Sequence, residues 1–108
     1  EEIADVLDKT ADVLTERGWK QGGHVGQTGT VCLDAALCLA VSDGNVTSQI
    51  LLPASVSEVE RAARTALNLR LGESGTRLRT NSWNDRCTTT EDDVHELLRS
   101  TARARRDA

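Results

Sequence analysis

The chain has 108 residues, 28% of them charged and 38% hydrophobic, and a net charge of −4. That length suits one domain over residues 1–108 with a single core, and the composition excludes a disordered polymer. No apolar run approaches the ~18 residues that a membrane helix needs.

Three cysteines cannot all pair within the chain. With no secretory leader in the sequence, the odd count gives the expectation of a reducing, cytoplasmic setting. The chain does not open on Met, so its start carries little weight in that argument. Phe and Tyr are absent, and Trp19 and Trp83 are the two aromatic residues. Leu, Val and Ala must therefore build the core, with the indoles as its largest members. Residues 1–60 hold ten acids and three bases, whereas residues 61–108 hold ten bases and seven acids. Such a chain can pair its own halves or turn a basic face to an acidic partner.

The pattern predicts a mainly α fold, a compact bundle of about four helices with a glycine-rich loop or short β-hairpin. The first helix spans residues 2–17, where Ile3, Val6, Leu7, Thr10, Val13 and Leu14 form a stripe at helical spacing. Gly18 supplies the left-handed residue that ends it, and Trp19 packs back on Leu14. Residues 20–31 contain four glycines and fit neither a dinucleotide-binding fingerprint nor a P-loop. This is the stretch read as a loop or short hairpin.

A second helix over 32–41 is apolar on nearly every side, so it should be buried and central. Asp34 is its one charged residue and lies in the first turn, where the helix dipole favours it. Ser42 to Asn45 form a turn, and Ile50-Leu51-Leu52-Pro53 a short extended piece. Ser55 and Glu58 have capping-box spacing, which starts a third helix running to about 71. Its apolar face comprises Val59, Ala62, Ala63, Ala66, Leu67 and Leu69, and Arg61, Arg64 and Asn68 make a separate polar stripe. Gly72 ends it. Residues 73–88 form a loop, with Leu78 in a short strand and Trp83 pinning the loop to the core. A last helix starts after Thr90 as N-cap, with Glu91, Asp92 and Asp93 in its first turn and Arg99, Arg103, Arg105 and Arg106 toward its end.

Gly18-Trp19, the glycine loop into Cys32-Leu33-Asp34-Ala35-Ala36-Leu37, Trp83-Asn84-Asp85, and Thr90 through Leu98 occur in a familiar order. In this the chain resembles a small domain family of unknown function from actinobacteria and their bacteriophages. Members of that family carry Gly-Trp after the first helix, Cys-x-x-Gly-Ala-Leu opening the second, and Trp-Asn-Asp before a Thr-capped last helix. Here Ala35 stands where the family has Gly, and Asp34 where it has an apolar residue. The resemblance implies one domain in a bacterial or phage, cytoplasmic setting, and implies no chemistry.

Cys32 is the best candidate nucleophile, because a helix start lowers a thiol's pKa. His24 or His95 would serve as base, with Asp85 or Asn84 as orienting group. No local signature supports that set. Cys32, Cys38, Cys87, His24 and His95 lack zinc-site spacing, so neither a metal nor a cofactor is expected. Residues 61–86 hold six arginines and two acids, but the acidic whole and the lack of interleaved aromatics make nucleic acid a weak third reading. The leading reading is a non-catalytic accessory domain that binds a protein, a host protein or a second copy of itself. Arg61, Arg64, Arg77 and Arg79 are the candidate contact residues for an acidic partner surface.

Overall fold

The computed structural model describes residues 2–22, 26, 29–41, 58–76 and 78–107. Five helices occur in order: α1 (Glu2–Arg17), α2 (Leu33–Val41), α3 (Glu58–Glu73), α4 (Thr80–Asp85) and α5 (Glu91–Asp107). The mainly α reading therefore holds. His24, the Ser42–Asn45 turn, the Ile50–Pro53 piece, Ser55 and Arg77 lie outside the described residues, and with Ser55 so does the Ser55/Glu58 capping box.

The core is aliphatic. Leu7, Leu14, Leu33, Leu37, Leu39, Leu67 and Leu98 are fully buried, each stabilising the fold by about 1.5–3 kcal/mol relative to exposure. α1 packs against α2, α3 and α5, while α2 packs against α1, α3 and α4. The long first helix thus takes the central place expected for the second. α2, with nine residues, buries six of them but is too short to carry the whole bundle. Alanine also counts for more than the leucine pattern suggests: Ala4 and Ala11 are fully buried on α1, while Ile3, Val6 and Val13 sit at the core's edge.

The helix ends obey backbone chemistry. Gly18, at φ +89°, donates its N–H to the Leu14 carbonyl (2.8 Å), which closes α1 with a single left-handed residue. Gly72 does not end α3. The helix runs to Glu73, and Gly75 at φ +92° turns the chain out, with Thr76 N–H bonding to the Leu71 carbonyl and Gly75 N–H to that of Gly72. That paired pattern is a Schellman motif. α5 opens with a reciprocal box: Thr90 Oγ1 accepts from the Asp93 amide (3.2 Å), and Asp93 accepts from the Thr90 amide (3.0 Å).

Two expectations are corrected. Among the described residues there is no strand, and the hairpin over 20–31 is replaced by one isolated bridge between Trp19 and Val31. The bridge is parallel, with Val31 N–H to Gly18 O (2.9 Å) and Lys20 N–H to Val31 O (3.0 Å), so the two flanks run side by side rather than folding back. The loop over 73–88 contains α4. Thr80, Asn81 and Ser82 have little helix propensity, but Thr80, Trp83 and Asn84 are buried there, and packing overrides propensity. Leu78 is exposed and lies in no strand.

The opposed charges of the two chain halves meet across α1 and α5. Arg99 pairs with Asp8 (3.0 Å) and Asp12 (2.9 Å), and Arg106 with Asp5 (2.8 Å) and Asp8. The arginines of α5 therefore do more than complement its dipole. Partial burial works against the Asp8 carboxylate, but hydrogen bonds from Arg106 and Arg99 outweigh it and hold its pKa below the ordinary carboxylate range.

Candidate functional site

Asn84 anchors the loops and uses its whole hydrogen-bonding capacity. Its Oδ1 accepts from the Trp19 indole (2.6 Å) and from the Leu33 amide at the start of α2 (3.1 Å). Its Nδ2 donates to the Lys20 carbonyl (3.1 Å) and to Asp85 Oδ1 (3.0 Å). Gln21 adds bonds to the carbonyls of Asn84 and Arg86, and Gly22 N–H bonds to Asp85. Trp83, only 6% exposed, belongs to the core beside this knot. Gly-Trp and Trp-Asn-Asp are thus two halves of one structural joint, and Asp85 acts in it as a loop cap.

The thiols are not poised for nucleophilic chemistry. Cys32 precedes α2 and accepts from the Ala35 amide, but burial dominates and, with the Asp34 and Asp85 carboxylates, pushes its pKa up. The expected lowering by the helix start is overturned by desolvation. Cys38 is pushed up to about 12 by burial and by its hydrogen bond to Glu60. Cys87 is exposed. His95 lies on α5, with its Nε2 3.5 Å from Glu91. Among the described residues no three His, Cys, Asp or Glu side chains converge in a way that could hold a metal.

A polar seam joins α2, α3 and α4. Glu60 is 4% exposed. It accepts from the Cys38 thiol (2.7 Å) and from Arg64 Nη2 (3.3 Å). Arg64 Nε lies 3.8 Å from Asp34 Oδ1, and Asp34 accepts from the Thr80 hydroxyl (2.8 Å). Asn68 Oδ1 accepts from the Thr80 amide (3.1 Å) at the start of α4. Arg64 and Asn68 therefore face inward, in contrast to the outward stripe expected for them. The sequence hides this, because Asp34 and Thr80 are distant in the chain from the residues they meet.

What remains outward on α3 is a different face. Leu69, expected in the core, is 64% exposed, and Leu71 takes its place inside. Arg61 and Thr65 are exposed on the same side, with Ala62 and Ala66 half-buried between them. Two shallow depressions flank Ala66 and Leu69: one runs toward Ile3 at the start of α1, the other toward Thr101 and Ala104 of α5. Arg61 makes no hydrogen bond or ion pair with the described residues. Arg79 is exposed at the start of α4. Of the four candidate arginines, Arg61 and Arg79 are thus open, Arg64 is engaged internally, and Arg77 lies outside the described residues.

Residues 1–104 match the model of a family of unknown function, DUF6197. The chain belongs to that family. No curated protein and no solved structure matches it. As a DUF6197 member it has a compact helical domain whose short motifs serve packing: Trp19, Trp83, Asn84 and Asp85 build one joint, and the Thr90 cap opens the last helix.

Proposed function

We propose that this domain is a non-catalytic accessory module that binds another protein through the outer face of α3. The observation that carries the reading is Leu69, a large aliphatic side chain 64% exposed between two shallow depressions floored by small residues. An exposed apolar patch rimmed by polar residues marks an interaction surface, and the open guanidinium of Arg61 adds a group suited to planar contact with carboxylates. Arg79, exposed at the start of α4, adds a second open guanidinium. The setting we infer is the cytoplasm of a bacterium or of a phage-infected cell, on the strength of the motif resemblance and the odd cysteine count.

A thiol-dependent hydrolase using Cys32, His95 and Asp85 has less support, since Cys32 is buried with a raised pKa and Asp85 is occupied as a cap. The test compares wild type with Leu69→Asp and with Arg61→Glu in pull-downs, with a thermal melt for each. Lost partner capture at an unchanged melting temperature supports the reading. Capture unaffected by both substitutions overturns it.

A further inference from the structure

A cavity of about 540 Å³ lies between the last turn of α3, the end of α4 and the first half of α5. Its floor is apolar: Leu71, Trp83 and Leu97 line it, one from each helix, and all three are buried. Two arginines and three acids surround that floor. Three of these five charges are already in use. Arg70 and Glu73 approach each other to 3.9 Å, and Asp93 accepts from the Thr90 amide in the α5 cap. Arg86 and Glu96 remain. Arg86 donates from Nε to Thr89 Oγ1 (3.2 Å), which orients the guanidinium, and its two Nη groups have no partner among the described residues. The Glu96 carboxylate has none among them either, and the two groups do not pair with one another across the cavity.

We propose that this cavity binds a free α-amino acid with an apolar side chain. The ligand's carboxylate takes the two Nη groups of Arg86, a planar fork suited to bidentate contact. Its ammonium takes Glu96, and its side chain covers the floor. Volume and lining agree, since small-molecule sites run to about 300–1,000 Å³ and combine an apolar bed with a few polar groups. Other ligand chemistries fit less well. A purely anionic ligand would face Glu96, Asp93 and Glu73, and a purely cationic one Arg86 and Arg70, so like charges select against both. A neutral apolar ligand would strip water from Arg86 and Glu96 and leave each unpaired. The site is independent of the outer face of α3, because it uses neither Leu69 nor Arg61.

Titration of the isotope-labelled full chain with L-leucine, followed by NMR, tests this. A ligand of about nine non-hydrogen atoms should dissociate at a concentration on the order of 1 mM. The Trp83 indole N–H and the amides of Leu71, Leu97 and Ser100 should shift and saturate. N-acetyl-L-leucine lacks the ammonium and L-leucinamide the carboxylate, so each should bind about tenfold more weakly. Glu96→Gln should weaken L-leucine about tenfold and leave N-acetyl-L-leucine unchanged, whereas Arg86→Gln should weaken L-leucine and leave L-leucinamide unchanged. A thermal melt accompanies each variant. Glu96→Gln carries the test if Arg86→Gln does not fold, since no hydrogen bond among the described residues depends on Glu96. Cavity signals that stay fixed up to about 20 mM L-leucine overturn the inference. Equal binding of the three ligands, or L-leucine binding indifferent to Glu96→Gln, also overturns it.

Discussion

Asn84 is a position where one substitution strips hydrogen bonds from four groups at once. Asn84→Ala removes the acceptor shared by the Trp19 indole and the Leu33 amide, and the donor to the Lys20 carbonyl and Asp85. Leu33 is fully buried, so water cannot replace the lost partner of its amide. One buried donor left unpaired costs about 1–3 kcal/mol. The Trp19 indole is half-buried and recovers part of its bond from solvent. The sum is about 2–5 kcal/mol, a large part of the ~5–15 kcal/mol that stabilises a typical domain. Asn84→Asp is the sharper probe. It keeps Oδ1 for Trp19 and Leu33 but sets a second oxygen against the Lys20 carbonyl and the Asp85 carboxylate. Burial and those acceptors raise the new carboxyl's pKa in the folded state. The folded state then binds a proton more readily than the unfolded one, so stability relative to wild type falls as pH rises from about 4 to about 7. Urea denaturation followed by Trp fluorescence at several pH values measures this. An Asn84→Asp penalty that is negligible, or the same at both ends of the range, would refute the joint as described.

The remaining predictions concern other parts of the molecule. Arg64→Met should destabilise by about 2–3 kcal/mol, below the ~3–5 kcal/mol of a fully buried pair, because Arg64 keeps some solvent contact while Glu60 does not; a chemical melt checks it, and Glu60→Gln on top should recover part of the loss. Trp83→Ala should cost about 3–5 kcal/mol as a large core truncation, read as a shift in the denaturation midpoint. In the native protein iodoacetamide should label Cys87 first, with Cys32 and Cys38 labelled only on unfolding, since the buried Cys32 and the half-buried, hydrogen-bonded Cys38 stay protonated at neutral pH; rapid labelling of Cys32 followed by mass spectrometry would contradict the inert-thiol assignment. Asp8 has a lowered folded-state pKa, so its contribution is complete above the unfolded carboxylate value and is lost as pH falls through the folded one. A double-mutant cycle of Asp8→Asn with Arg99→Gln should give a coupling of about 0.2–1 kcal/mol that shrinks in salt and vanishes at low pH.

The legible parts of the fold are those written in local chemistry. Apolar periodicity locates α1, α2 and α5, Gly18 marks a true left-handed stop, and Thr90 a true cap. The pairing of the acidic and basic halves is visible as a charge imbalance, though the individual partners are not. What escapes a sequence reading depends on contacts between distant residues. Glu60 and Arg64 sit at ordinary surface spacing and become internal only because Asp34 and Cys38 lie against them. Leu69 reads as core and is not, since a helix of this pitch that buries Ala63, Leu67 and Leu71 turns position 69 outward. α4 is hidden by residues that favour turns in isolation, and the parallel bridge by glycines that suggest a hairpin. The candidate site moves for the same reason. Charge along the chain selects four arginines, whereas the open face of α3 is defined by one misplaced leucine and by what the other side chains are already bonded to.

The central claim is that the outer face of α3, where Leu69 stands 64% exposed, is a binding surface. Leu69→Asp tests it most directly, with capture of partners in a pull-down and a thermal melt measured side by side. Capture should be lost while the melting temperature stays that of wild type. Capture at the wild-type level would contradict the claim.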